Sequence, residues 1–155
     1  MTIKYTRWLR SYVGPQRLLQ VRTSGYILNE AKQILLCRRA DVMMWDVPGG
    51  AVELGETPAE ALVREVAEET GLQVHPTKLL GVYAGPGWEW TYPNGDQVEI
   101  INIFFACDIA EGSLGKAHSE LLKIEFFPLD KLPALLPRTA RMLNNVREGK
   151  EGHFD

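Results

Sequence analysis

Apolar positions recur along the chain with two different periods. In residues 17–29 (RLLQVRTSGYILN) and 33–39 (QILLCRR) they form short runs and alternations that predict two strands. The polar Asn29-Glu30-Ala31-Lys32 between them predicts a hairpin turn. From Ala59 the period changes: Ala59, Leu62, Val63 and Val66 stand at i, i+3, i+4 and i+7, one apolar helical stripe facing a core. That helix has a marked start and stop. Thr57 can serve as N-cap, Pro58 takes the first helical position, Glu60 completes a capping box and Gly71 closes the last turn. Strand patterns resume at 73–84 and 97–108, separated by GPGWEWTYPNGD, whose Asn94-Gly95 is the strongest short hairpin signal in the chain. LLKIEFFP (121–128) predicts a further strand, and PRTARMLNNVR (137–147) a helix begun by Pro137. Strands on both sides of helices point to an α/β or α+β sandwich.

No internal repeat, low-complexity segment or linker divides the 155 residues, so the length predicts a single domain, 1–155, with one sizeable core. Residues 1–16 read as an N-terminal extension. Trp8, Tyr12 and Val13 there stand among basic neighbours, which suits a short helix packed on the body or on a dimer partner. A hydrophobic fraction of 45% excludes a disordered chain. No apolar run reaches the ~18 residues of a membrane helix, and MTIKYTRWLRSYVGPQ lacks the apolar stretch of a signal peptide, so a cytoplasmic protein is expected. Cys37 and Cys107 lie in apolar strand-like runs and are expected to be buried and reduced. His75, His118 and His153 are too scattered to form a metal site.

The net charge of −3 hides a split. Residues 1–39 hold eight basic side chains and one acidic one; the remainder holds nine and nineteen. A uniformly basic nucleic-acid coat is thereby excluded, and nucleic acid is not an expected partner. The basic N-terminal part either rims a phosphate-binding cleft or balances a dimer surface.

The predicted helix concentrates acid on its other face. At 100° per residue Glu65, Glu68 and Glu69 fall within about a quarter-turn of one another. Arg64 neutralises only part of that charge, so a multivalent oxygen-seeking cation is a natural counter-ion; a merely solvated face is the alternative. The wider pattern decides between them. GAVELGETPAEALVREVAEETGL (50–72) places Gly50, Glu56, Arg64-Glu65-Val66, Glu68-Glu69 and Gly71-Leu72 at fixed spacings, and this resembles the Nudix box at every one of its fixed sites.

The resemblance implies an α/β/α sandwich with a central mixed sheet and an enzyme that hydrolyses a nucleoside diphosphate linked to another moiety. It implies that Gly50 (through its carbonyl), Glu65, Glu68 and Glu69 bind metal, Mg²⁺ or Mn²⁺ as two or more ions, that Arg64 orients a glutamate, and that Glu56 supports Arg64. The general base is then a box glutamate or one from a later loop. Glu120, in GKAHSELLKIEFF, is the candidate of the second kind, with an exposed loop acid as its alternative.

Outside the box, Arg38 and Arg39 end a strand near the metal loop and either meet a phosphate or face solvent. Trp88, Trp90 and Tyr92 alternate and could share one strand face, stacking on a nucleobase, packing on the sheet or covering a second subunit. Tyr83 and Trp45 are weaker candidates. Some ADP-ribose-cleaving relatives carry a proline shortly after the box, and Pro86 lies near that place, one residue early. ADP-ribose and nucleotide sugars are thus the favoured substrates, with nucleoside triphosphates, including oxidised ones, as the alternative. A non-catalytic nucleotide sensor and an RNA 5′-end hydrolase are the remaining readings, and a homodimer is the expected oligomer.

Overall fold

The computed structural model describes residues 4–115 and 120–155. Helix α1 (Tyr5–Val13) precedes strands β1 (Leu18–Ile27), β2 (Gln33–Arg39), β3 (Trp45–Asp46) and β4 (Gly49–Ala51). Helix α2 (Pro58–Thr70) is followed by β5 (Gln73–Tyr83), β6 (Glu89–Thr91), β7 (Gln97–Glu111) and β8 (Leu121–Pro128), then by helix α3 (Pro137–Arg147) and β9 (His153–Phe154). The larger sheet runs β4-β1-β7-β5-β9, with β6 also on β7, and the smaller runs β3-β2-β8. The larger sheet is mixed: β1 lies parallel to β7, whereas β5 and β6 lie antiparallel to it.

Side-chain alternation on β7 sorts the interior into two cores. Val98, Ile100 and Phe104 pack with Met142 and Leu143 of α3, while Phe105, Cys107 and Ile109, of opposite parity, pack with Leu62 and Val66 of α2. Helices therefore cover both faces, as the sandwich expectation required. The apolar run of β2 serves both cores, with Ile34 and Leu36 in one and Leu35 in the other. Cys37 and Cys107 are buried and free; burial pushes the Cys107 thiol up to about 12.

The expected hairpin of the first two strands does not form. Its turn does: the Asn29 carboxamide oxygen accepts from the Gln33 amide at 2.9 Å and Lys32 takes a φ of 59°. Beyond the single bridge Leu28–Ile34 the strands part into different sheets, because each finds a longer partner. β1 pairs with β7 along its whole length and β2 with β8. The Asn94-Gly95 signal does mark a hairpin, β6–β7, closed by the Tyr92 amide on the Asp96 carbonyl at 2.8 Å, so the connection is longer than two residues.

Helix α2 begins as its sequence dictates. The Thr57 hydroxyl accepts from the Glu60 amide at 3.2 Å, the Glu60 carboxylate accepts from the Thr57 amide at 2.8 Å, and Gly71 closes the helix at a φ of 81°. Its buried face is turned slightly from the expected stripe. Ala61, Leu62, Val66 and Thr70 are buried together with Glu65, while Ala59 and Val63 are half-buried at the margin. The helix thus carries one glutamate inward, toward the loop that ends in β4. Among the described residues no helix is long and apolar enough to cross a membrane.

Candidate active site

The centre of the site is a knot around Arg64. Its Nε and Nη2 donate to the Glu56 carboxylate at 2.6 and 3.0 Å, Nη1 donates to Glu65 at 2.8 Å and lies 3.5 Å from Glu68, and Nη2 also donates to the Ala51 carbonyl at 3.0 Å. One planar guanidinium thereby ties helix α2 to the turn before it and to strand β4. The Arg64 hydrogen bond holds Glu56 below the usual carboxylate range, and the Glu53 amide, donating at 2.9 Å, adds to this. Glu65 shifts the other way. Only 7% exposed, it is pushed up by burial, which outweighs the adjoining Arg64 charge.

Strand β4 approaches α2 as closely as backbone allows. A Cβ built on Gly50 would stand 2.2 Å from the Glu65 carboxyl carbon, and one on Gly49 would stand 2.1 Å from the Thr23 carbonyl oxygen. The Gly49 amide donates to Glu69 at 3.1 Å. Burial, with the charges of Glu65 and Asp46 added, nonetheless pushes the Glu69 carboxyl up to about 8, so the metal-free site strongly resists this carboxylate's charge. Glu68 is exposed and, unlike Glu65 and Glu69, does not line the adjoining cleft.

These residues suit a hard divalent cation. Their donors are carboxylate oxygens and a backbone carbonyl, with no thiolate or imidazole, and the space that a Cβ at Gly50 would fill leaves the loop backbone directly against Glu65. Among the described residues no three acidic, His or Cys side chains converge to metal-binding distance, since Glu65 is turned to Arg64 and Glu69 to the Gly49 amide.

A cleft of about 870 Å³ opens beside the knot, lined by Gly50, Glu65 and Glu69 together with residues of α1, Arg22, Arg39, Tyr92 and Glu120. Glu120 is exposed there, next to residues 116–119, which with His118 lie outside the described ones. Arg39 pairs with Asp41 at 2.8 Å and stands over the Trp90 ring at 5.0 Å, while the Arg38 Nε donates to the Met43 carbonyl at the surface. Of the three alternating aromatics, Tyr92 lines the cleft, its hydroxyl accepting from Arg22 and donating to Gln20, both at 3.2 Å. Trp88 is 3% exposed and packs on Tyr83 inside the core, and Trp90 carries the Arg138 guanidinium 4.5 Å from its ring centre. Tyr83 and Trp45 are core residues, and Pro86 is exposed.

Asp46 is the residue that the sequence concealed. It accepts from the Thr139 hydroxyl at 2.6 Å and from the Val47 amide, and it lies 3.5 Å from Arg138 and 3.8 Å from Arg39. It thereby fixes α3 and β2 beside the glycine loop. Its only sequence signal was a place immediately before that loop, in WDVPGG.

A helix and glycine loop that line an open cleft with hard-oxygen donors, on a mixed sheet covered by helices, define a class of enzyme that handles phosphate chains through divalent cations. The chain belongs to the Nudix hydrolase family, the NUDIX domain model matching residues 18–146. It is 37% identical over 145 residues to an ADP-ribose pyrophosphatase of Methanocaldococcus jannaschii, covering 92% of this chain and 79% of that one. Among solved structures, a MutT protein from Bacillus halodurans matches with a TM-score of 0.71 and 26% identity over 88% of this chain and 87% of that one. An ADP-ribose pyrophosphatase from Streptococcus suis shares the fold, with a TM-score of 0.66 and 24% identity over 88% and 98% of the two chains. Nudix hydrolases generally use divalent metals.

Proposed function

We propose that this hydrolase cleaves the phosphoanhydride of a nucleoside diphosphate linked to another moiety, ADP-ribose or a nucleotide sugar, giving a nucleoside monophosphate and a phosphorylated moiety. The observation that carries the reading is the close approach of Gly50 to Glu65, which sets a bare backbone beside a buried carboxylate at the edge of a nucleotide-sized cleft. The ADP-ribose pyrophosphatase of Methanocaldococcus jannaschii supports the substrate class.

Glu65, Glu68, Glu69 and the Gly50 carbonyl would hold two or more Mg²⁺ or Mn²⁺ ions. When bound, such ions supply Lewis-acid screening of the phosphate oxygens. Arg64 keeps Glu65 oriented, and Glu56 keeps Arg64 in place. Glu69, half-buried and hydrogen-bonded to the Gly49 amide, is suited to taking the proton of the attacking water, with Glu120, which lines the same cleft, as the rival base. Arg22 and Arg39 face the phosphate chain from the cleft wall, and Tyr92 offers an aromatic edge to the nucleoside. The exposed Trp8 and Tyr12 of α1 support a homodimer.

A second reading, hydrolysis of nucleoside triphosphates, is supported by a putative 8-oxo-dGTP diphosphatase of Bacillus subtilis, 33% identical over 126 residues. The test is a panel of ADP-ribose, nucleotide sugars, dinucleoside polyphosphates, CDP-alcohols and deoxynucleoside triphosphates, incubated with Mg²⁺ or Mn²⁺ and read for phosphate-containing products. Fastest turnover of ADP-ribose or a nucleotide sugar is expected. No turnover of any compound would favour a sensor instead.

A further inference from the structure

Lys4, Arg7 and Arg10 of the N-terminal segment line the same cleft as Gly50, Glu65 and Glu69. Helix α1 has no fully buried residue; Leu9 packs half-buried on the core, and polar contacts fix the two ends of the helix. At its start the Tyr5 amide donates to Glu53 at 2.6 Å. This carboxylate, from the loop between β4 and α2, performs the capping that the Lys4 side chain does not. At its end Arg10 donates to the carbonyls of Gly14, Gln16 and Gln97 and pairs with Asp96 at 3.1 Å.

Arg10 is therefore committed to anchoring. Lys4 and Arg7 are not: both are exposed, and neither side chain has an ion-pair or hydrogen-bond partner among the described residues. Two cations, one at the cap and one on the first turns of a docked helix, thus line the same open volume as Glu65 and Glu69, near enough that the Lys4 charge acts on Glu65. Cations so placed attract phosphate that the divalent ions held by the carboxylates would not reach, and a guanidinium suits phosphate in particular.

We propose that α1 is a wall of the substrate site, on which Lys4 and Arg7 receive a terminal phosphate of the nucleotide, beyond the anhydride that is cut, while Glu53 positions the helix. The inference rests on the hydrolase reading and adds a preference to it. Substrates whose far end carries phosphate bind more tightly than those ending in a neutral sugar.

The test compares ADP-ribose 1″-phosphate with ADP-ribose, which share one anhydride and differ by one far-end phosphate. In the wild type the KM for the phosphorylated compound is expected to be about tenfold lower, the effect of one good charge-assisted contact. The double substitution Lys4→Gln/Arg7→Gln should bring the ratio of the two KM values close to one, with the change in KM rather than kcat. Arg7→Lys with Lys4 intact should retain most of the ratio, and Glu53→Gln should lower it by loosening the helix. Lys150→Gln, a surface residue paired with Glu148 at 2.7 Å, removes the same charge outside the cleft and should leave the ratio unchanged. A ratio that persists in Lys4→Gln/Arg7→Gln, including an equal loss on both compounds, would overturn the wall while leaving the hydrolase intact. A wild type that turned over neither compound with Mg²⁺ or Mn²⁺ would overturn both.

Discussion

Gly50→Ala isolates the contact on which the site is built. Gly50 is absent from the positive-φ residues, so its backbone can accept an alanine, and the neighbour alone forbids one. The new methyl would lie 2.2 Å from the Glu65 carboxyl carbon and 2.5 Å from each carboxyl oxygen, where ordinary contact begins at 3.4 Å. The carboxyl group must retreat by roughly 1 Å. It has little room to do so, being 7% exposed and held by Arg64 at 2.8 Å. Overpacking of this kind costs about 1–3 kcal/mol, or roughly 3–10 °C in melting temperature for a chain of this length.

The same substitution on a Glu65→Ala background has nothing to strike. There it should be neutral or stabilise by up to about 1 kcal/mol, because alanine narrows the unfolded ensemble. Urea unfolding of the wild type, both single variants and the double variant in EDTA measures the difference, with an expected coupling of about 1–3 kcal/mol. Equal costs on the two backgrounds would refute the claim that Gly50 is there to admit Glu65.

Three further outcomes follow from the same geometry. Because burial raises the Glu69 carboxyl from about 4.5 to about 8, the folded metal-free protein holds that proton longer than the unfolded chain. The stability it confers is complete below pH 4.5 and is lost as pH rises to 8, so chemical denaturation in EDTA should show a fall over that window that Glu69→Gln diminishes by up to about 5 kcal/mol. Arg64→Lys keeps the charge but not the fork that joins Glu56, Glu65 and Ala51; kcat should fall about 10–100-fold with little change in KM, read by steady-state kinetics. Thr57→Ala removes the hydroxyl that accepts from the Glu60 amide and should cost about 1 kcal/mol in a denaturation curve while leaving turnover intact.

What the sequence disclosed was local. The box from Gly50 to Leu72 spans one loop and one helix, so its spacing alone determines which side chains share a face, and the capping box at Thr57 and Glu60 formed as read. What it hid depended on distant partners. The turn at Asn29 is visible in residues 29–33, but the choice of β7 over β2 as the partner of β1 lies in residues 98–107. Alternation placed Trp88, Trp90 and Tyr92 together, whereas Tyr83 and Arg138, brought in by β5 and α3, draw the two tryptophans away from solvent and leave Tyr92 at the cleft. Asp46 showed only its place before the glycine loop, because its partners Arg39, Arg138 and Thr139 come from two other elements. The position of α1 was likewise set by Glu53, 48 residues beyond Tyr5.

The most direct test of the central claim is the release of AMP and ribose 5-phosphate from ADP-ribose by the wild type and by Glu65→Gln, each with Mg²⁺ and with EDTA. The account predicts both products from the wild type with Mg²⁺, none with EDTA, and a loss of about 100-fold or more in Glu65→Gln, the size expected when a cation-binding carboxylate is neutralised. Turnover that survives EDTA, or that Glu65→Gln leaves at the wild-type rate, would contradict it.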